Sequence, residues 1–225
     1  MKLSITFVLA IVLLAVMGTA SAATINFNLT TYSASKVWTS GGVSVTVSAY
    51  SLNQSTNIFS GATLGQYSGG LGVTNSADDS YPANQHAVDN ADGRTDFILM
   101  QFSKPVDPLS VSIKQYNSDS DMDYWTGNIP ASLAGLSLNN LSGFNSGSNN
   151  SSGSRTISLT SGVVSALLVS ADLSGVNDFF KLAGLSVDYS IPPPPSQVPE
   201  PSTYDTMGGA LLGIGLVMAK RRRAN

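Results

Sequence analysis

The chain has 225 residues, of which 11% are charged and none is cysteine. Without cysteine, disulfides and thiolate metal sites are excluded. Between Ala23 and Val198, twelve Asp against six Lys or Arg leave a net charge of −6. This acidic balance argues against a nucleic-acid partner, whose phosphates need clustered cations. A single Glu among abundant Ser, Thr, Asn and Gly favours strands and loops over helices.

Residues 1–22 have the three parts of a secretory leader. Lys2 supplies the positive charge, Ile5 to Val16 is an apolar run, and Ala20-Ser21-Ala22 supplies the small residues at the cut. A signal peptidase that reads Ala20 and Ala22 is therefore expected to cut before Ala23. A buried helix is the alternative interpretation of the apolar run.

Residues 23–190 show the period of two that marks half-buried strands. The alternating apolar residues are Ile25, Phe27 and Leu29; Val43, Val45 and Val47; Leu109, Val111 and Ile113; and Leu185, Val187 and Tyr189. Residues 97–102 and 163–169 are more continuously apolar, as in strands covered on both faces. Ile157 and Leu159 flank Ser158 in a further short strand. The low-complexity residues 142–154 predict a flexible loop. The pattern predicts an all-β domain of about eight antiparallel strands, arranged as a sandwich of which the jelly roll is one form.

The last 35 residues have a different character. A linker over residues 191–197 contains four consecutive prolines, which favour a stiff extended spacer. Pro199-Glu200-Pro201 follows. An apolar segment over about residues 204–219 then precedes the basic cluster Lys220, Arg221, Arg222 and Arg223, which is a stop-transfer pattern. The apolar segment is short of the roughly 20 residues that a stable transmembrane helix needs, so it suits a temporary anchor.

These three parts, in this order over residues 198–225, resemble the PEP-CTERM sorting signal. The resemblance implies recognition and removal of the tail near Pro199-Glu200-Pro201 by an exosortase, a membrane-embedded cysteine protease. It also implies a Gram-negative host that makes extracellular polysaccharide. Asp205 departs from the family pattern. An ordinary, permanent membrane anchor is the alternative interpretation of the tail.

Part of the predicted β-domain is also familiar. Gly70-Leu71-Gly72-Val73-Thr74-Asn75, His86-Ala87-Val88-Asp89-Asn90, residues 97–102, Ser118 to Asp121 and Trp125-Thr126-Gly127 follow one another in this order. This order resembles a block found in many exosortase-sorted ectodomains. The resemblance supports the class of protein and implies no biochemical activity.

One acidic stretch is a candidate calcium site. In a strand, Asp119, Asp121 and Asp123 would project from one face, where like charges repel at close range. A calcium ion, which prefers oxygen ligands, would relieve that repulsion. Asp89, Asp92 and Asp96 form a second acidic stretch that a neighbouring loop would bring close. A solvated acidic loop without a bound ion is the alternative interpretation.

Other chemistry has little support. His86 is the only histidine, so an ordinary zinc site is not expected, and a hydrogen-bonding role in a loop or at a sheet edge is favoured over catalysis. The aromatic residues expected in or near loops either stack on sugar rings or fill the ends of the domain; they are Trp38, Tyr67, Tyr81, Tyr124 and Trp125.

The expected function is that of a non-enzymatic surface or matrix protein. It is expected to be exported, held briefly in the inner membrane and then released or attached outside the cell. Its domain is expected to bind polysaccharide or to build matrix, with signal peptidase and exosortase as processing partners. A secreted hydrolase and a permanently anchored envelope protein are the alternatives.

Overall fold

The computed structural model describes residues 21–67, 69–77, 86–116, 119–175 and 177–191. The leader up to Ala20, the linker beyond Ile191 and the predicted sorting tail lie outside these residues. Ala22–Ile191 forms one compact unit with its own contacts. No helix within the described ranges is long and apolar enough to cross a membrane.

Strands are the main secondary structure of the described residues, and turns, loops and one short 3₁₀ helix at Leu138–Leu141 join them. The strands are β1 (Ser21–Asn28), β2 (Val37–Ser40), β3 (Val43–Asn53), β4 (Ile58–Tyr67), β5 (Gly70–Thr74), β6 (Val88–Asp89), β7 (Arg94–Gln115), β8 (Met122–Gly127), β9 (Asn145–Asn149), β10 (Arg155–Ser158), β11 (Val164–Ala171) and β12 (Phe179–Ile191). The paired strands of the described residues run antiparallel to one another. The prediction of an all-β antiparallel fold is confirmed.

The long strand β7 closes the sheet on itself. Its first half pairs with β3, and its second half pairs with β12. Because β3 also pairs with β4, β4 with β5 and β5 with β12, these five strands form a closed barrel. Two prolines, Pro105 and Pro108, lie between the halves of β7, where proline is tolerated because the ladder is irregular.

Further strands are added outside the barrel. On its first half β7 also pairs with β11, which continues to β8 and β9, and on its second half β7 also pairs with β10. The expectation of a sandwich or jelly roll is thus corrected to a barrel with outer strands. The physical reason is that one 22-residue strand belongs to both parts of the sheet, so the parts are continuous rather than stacked.

The predicted flexible loop over residues 142–154 contains strand β9. Its Asn, Ser and Gly residues have low strand propensity, yet they pair with β8 from Met122↔Asn149 to Thr126↔Asn145. The backbone supplies these hydrogen bonds, so a polar sequence can occupy the edge of a sheet whose core-facing residues come from its neighbour.

Residues 97–102 are covered on both faces, as predicted. Ile98, Met100 and Phe102 belong to the main core, whereas Phe97 and Leu99 belong to a second cluster on the other face. A continuous apolar run is thus required here, because both faces of the strand are removed from water.

The second cluster is closed by an irregular segment rather than by a second sheet. Ile129, Leu133 and Leu141 follow β8 and pack against Trp125 and Leu168. Within this segment, Leu136 N–H donates to Leu133 O at 2.9 Å. Gly135 N–H instead donates to Phe59 O in β4, also at 2.9 Å. The segment is thus tied to β4 by backbone hydrogen bonds as well as by apolar packing.

We expect Leu167→Ala to lower the free energy of unfolding by about 2–5 kcal/mol, the usual cost of deleting a fully buried leucine side chain. Leu167 lies in β11 and is fully buried in the main core. Val163→Ala is the matched control, because Val163 is 74% exposed just before the same strand and its change should stay within about 0.5 kcal/mol. Urea denaturation measures both. Equal losses for the two variants would contradict the assigned core.

Candidate metal centre

Three loops meet at one end of strands β8, β11 and β12. The residues before β8 are joined to those before β12 by a bridge between Asp119 and Asp178, with Phe179 N–H donating to Asp119 O at 3.0 Å. Asp172 N–H, just after β11, donates to Asp121 O at 3.2 Å. The backbone therefore fixes the relative positions of the acidic side chains that these loops carry.

Three carboxylates come together at this end. One oxygen from each of Asp119, Asp121 and Asp178 lies within 4.8 Å of the others. Asp119 and Asp121 are half-buried, whereas Asp178 is only 2% exposed. Two of the three residues were predicted from the sequence, and the third comes from a loop more than fifty positions later.

Asp178 is the most constrained member of this group. Its Oδ1 accepts from Asp121 N–H at 3.0 Å, and its Oδ2 accepts from Asn90 Nδ2 at 2.6 Å. Burial is the largest cause that raises the pKa of Asp178 to about 6, and the neighbouring charges of Asp121 and Asp119 add to it. A bound cation would therefore favour the charged form of this side chain.

Asp123 lies apart from this group. It belongs to β8, where its Oδ2 accepts from Leu173 N–H at 3.0 Å, and its carboxyl group hydrogen-bonds Asp172. Burial and the neighbouring Asp172 raise the pKa of Asp123. Burial also acts on Asp172, but hydrogen bonds from Ser174 and Gly175 outweigh it and lower the pKa of Asp172. These two aspartates form a second carboxyl pair that shares one proton more readily than two isolated groups would.

The second acidic stretch, which contains Asp89, Asp92 and Asp96, contacts the carboxylate group through Asn90 rather than through its aspartates. Asp89 is buried and accepts from Ala91 N–H, Asp92 lies in a turn with positive φ, and Asp96 accepts from Asn75 Nδ2. Asn90 instead binds Asp178 through both side-chain atoms, since Asp178 N–H also donates to Asn90 Oδ1 at 2.9 Å. Nothing in the sequence around Asn90 predicts its hydrogen bonds with Asp178.

One cation lies behind the carboxylates. Arg155 donates from Nη1 to Ser120 Oγ at 2.7 Å and from Nη2 to Ser120 O at 3.0 Å. Burial is the largest cause that raises the pKa of Asp121, followed by repulsion from Asp119, and the charge of Arg155 lowers it only in part. The guanidinium is held by neutral oxygens, so it screens the aspartates without neutralising them.

The geometry of Asp119, Asp121 and Asp178 fits a hard divalent cation. Calcium–oxygen distances of about 2.3–2.6 Å allow two ligand oxygens to lie up to about 5 Å apart. Three carboxylate ligands leave several positions for water, which corresponds to the weak affinities, about 10⁻⁴–10⁻³ M, of extracellular calcium modules. Asp119, Asp121 and Asp178 are the residues that would hold the ion.

The other residues singled out in the sequence, His86 and five aromatic residues, do not belong to the carboxylate group. His86 Nδ1 lies 2.8 Å from Thr74 Oγ1, which confirms the prediction of a hydrogen-bonding role. Trp38, Tyr124 and Trp125 are buried, so they fill the interior rather than presenting faces to sugars. Tyr67 is half-buried, and Tyr81 lies outside the described residues.

The sorting residues Pro199, Glu200 and Pro201, the basic cluster Lys220 to Arg223, and Ala20 all lie outside the described residues. Ala22 is exposed in β1. Comparison of the chain with protein-family models, with curated proteins and with solved structures finds no match.

We expect millimolar calcium to raise the melting temperature of the protein. A ligand at about 1 mM that binds only the folded state with a Kd of about 10⁻⁴–10⁻³ M stabilises that state by about 0.4–1.4 kcal/mol. For a domain of this size, that corresponds to a shift of about 1–6 °C. Changing Asp119, Asp121 and Asp178 together to Asn should abolish the shift, because amides keep the shape and remove the charge.

Asp92→Asn is the matched control, since Asp92 lies outside the carboxylate group and asparagine tolerates its positive φ. This variant should keep the calcium shift in thermal melting. Identical melting curves of the unchanged protein in calcium and in chelator would instead favour the solvated acidic loop.

Stability should also depend on the proton of Asp178. Its pKa rises from about 3.8 in the unfolded chain to about 6 in the folded one, so protonation favours the folded state. This contribution is fully present below the unfolded value and is lost as pH rises through 6. Without divalent cations, acidification from pH 7 to pH 5 should add about 1 kcal/mol from this group.

The comparison with Asp178→Asn isolates this contribution from the other aspartates, including Asp172, whose lowered pKa has the opposite sign. Chemical denaturation at the two pH values should show a gain on acidification that is smaller in the variant by about 1 kcal/mol. The same pH dependence in both proteins would show that Asp178 titrates at its ordinary value.

Proposed function

We propose that this chain is an exported, non-enzymatic protein of the cell surface or extracellular matrix, delivered by an exosortase-type sorting system. The leader directs export and is cut before Ala23. The tail is held briefly in the inner membrane by an apolar helix over about residues 204–219 and is removed near Pro199-Glu200-Pro201. The domain itself is structural or binds polysaccharide.

The observation that carries this proposal is the separation of the sorting features from the β-domain. The described core residues, including those packed at its margin, all lie between Ile25 and Tyr189. The compact unit ends at Ile191, one residue before the proline run. Removal of the leader and the tail would therefore take away none of these core residues, as a precursor processed at both ends requires.

The carboxyl groups of the domain favour a binding or structural role over hydrolysis. A glycosidase needs an accessible carboxylic acid with a raised pKa beside a second carboxylate. The pKa of Asp178 is raised, as are those of Asp121 and Asp123, but Asp178 is 2% exposed and both of its oxygens accept internal hydrogen bonds. A substrate would have to displace those bonds, so a secreted hydrolase remains the weaker alternative.

We expect surface-extracted protein to lack both ends. Mass spectrometry should find an N-terminus at Ala23 and no peptide from Met207 to Arg223. Replacing Arg221, Arg222 and Arg223 with Ser should stop this processing. Each cation costs about 2.5–3.5 kcal/mol at the centre of a membrane helix, so the cluster holds the tail on the inner side.

Arg221→Lys, Arg222→Lys and Arg223→Lys together form the control variant, which keeps the charge and should be processed normally. An intact tail on mature surface protein would contradict sorting-linked removal and would identify the tail as a permanent anchor. Normal processing of the serine variant would show that the charges are dispensable.

A further inference from the structure

Two of the six cations of the β-domain lie directly opposite one another. Lys114 in β7 and Lys181 in β12 are cross-strand partners in the antiparallel ladder. Like charges at such positions repel and destabilise the sheet. The aliphatic stems of both lysines pass Gly69, where an added Cβ would lie 3.2 Å from Lys181 Cδ and 3.8 Å from Lys114 Cδ. Gly69 therefore leaves room for both stems on the same face.

The ammonium group of Lys181 lies between two tyrosine rings. Its Nζ is 3.9 Å from the centroid of Tyr67 and 4.9 Å from the centroid of Tyr116. Both distances are within the range of a cation–π interaction, which is strongest for a desolvated cation. Lys181 is only 8% exposed, and burial lowers the pKa of its amine. The amine is therefore held in place and poorly hydrated.

The ring of Tyr67 is also held in position by His86. His86 stacks on it with centroids 5.6 Å apart and an interplanar angle of 18°, and His86 Nδ1 hydrogen-bonds Thr74 Oγ1. Tyr116 follows β7, and its N–H donates to Phe179 O at 3.0 Å. The two tyrosines are thus positioned by ordered strands rather than by a loose loop.

Neither lysine forms an ion pair with any residue that the structure describes. Two neighbouring ammonium groups are therefore left without a counter-charge in a domain whose net charge is negative. Tyr116 is 42% exposed and Lys114 is exposed, so a ligand can reach this surface from solvent. We name Tyr67, Lys114, Tyr116 and Lys181 the lysine–tyrosine site.

We propose that the lysine–tyrosine site binds acidic sugar units of a polysaccharide. The carboxylate of a uronic acid would pair with Lys114 and Lys181, and the flat C–H face of its ring would stack on Tyr116. This inference rests on the proposed polysaccharide-binding role and names the class of ligand. A simple anion would pair with the lysines but would make no stacking contact with the exposed part of the Tyr116 ring.

The other lysine–tyrosine contacts of the domain provide a comparison. Lys104 lies 5.0 Å from the ring centroid of Tyr189, and Lys36 lies 6.0 Å from that of Tyr32. Each involves one lysine and one ring, with no second lysine among its cross-strand partners. Lys104→Gln therefore removes a charge and a ring contact elsewhere on the same acidic domain.

The test measures binding of the full chain to polygalacturonate, with dextran as a neutral polysaccharide and polyglutamate as a polyanion without sugar rings. Every sample carries Ser in place of Lys220, Arg221, Arg222 and Arg223, so that the terminal cluster does not bind polyanions. We expect measurable binding to polygalacturonate, and weaker binding to dextran and to polyglutamate. Lys114→Gln and Tyr116→Ala should each weaken polygalacturonate binding by at least about fivefold, the ratio that corresponds to about 1 kcal/mol.

Lys104→Gln should leave the affinity within about twofold. Both test positions are exposed, and melting curves check that each variant is folded. Equal binding to polyglutamate, or equal losses in the Lys104 and Lys114 variants, would overturn the site as a sugar-specific one. Binding to dextran that is unaffected by the Lys114 and Tyr116 variants would overturn the inference but would leave the proposed polysaccharide-binding role standing. No binding to either polysaccharide would overturn the inference. Correct processing of the unchanged tail, measured separately by mass spectrometry, would then leave the sorting proposal intact.

Discussion

The pairing of both halves of β7 on both of their edges is the constraint on which the rest of this domain depends. Its first half lies between β3 and β11, and its second half lies between β12 and β10. Because one strand carries both pairings, the barrel and the outer strands share a single backbone. The acidic loops at the ends of β8, β11 and β12 and the cross-strand lysines on β7 and β12 inherit their geometry from this arrangement. A change that breaks the β7 ladder would therefore disturb both candidate sites.

The sequence was sufficient to predict which side chains are buried wherever burial follows the local period of a strand. The alternation in Val43, Val45 and Val47 and the continuous run over residues 97–102 predict buried faces correctly, because strand side chains point to opposite sides in turn. It was insufficient to predict features that depend on the pairing of strands far apart in the sequence. The continuity of β7 through Pro105 and Pro108 is such a case. Strand β9 is another, because its Ser, Asn and Gly residues reveal nothing of the open edge that they complete.

The candidate metal centre shows the same division at the level of single residues. The sequence correctly predicted that Asp119 and Asp121 belong to one group. It wrongly added Asp123 from the alternating pattern of a strand, because Asp119 and Asp121 meet Asp178 instead. The group begins before β8, and its third member, Asp178, contacts Asp121 N–H across 57 positions. Asn90 reaches Asp178 across 88 positions. No local pattern encodes contacts of that length, since they are produced by strands that return to the same end of the sheet.

Both candidate sites place like charges together in a chain that has few charges to place. Five of the twelve aspartates of the β-domain lie at the end of β8, β11 and β12, and two of its six basic residues are cross-strand partners. Neither group belongs to the two apolar clusters that form the core. Burial is the largest cause of the raised pKa of Asp178 and the cause of the lowered pKa of Lys181, so a bound charge of opposite sign would favour the ionised form of each side chain. If the protein acts outside the cell, as proposed, dissolved calcium and acidic polysaccharide are counter-charges of the two required signs, and the same polysaccharide would itself bind calcium through its remaining carboxylates. A matrix that contains both ligands would then stabilise the domain at two separate surfaces, which ties the folding of this protein to the place where it is expected to act.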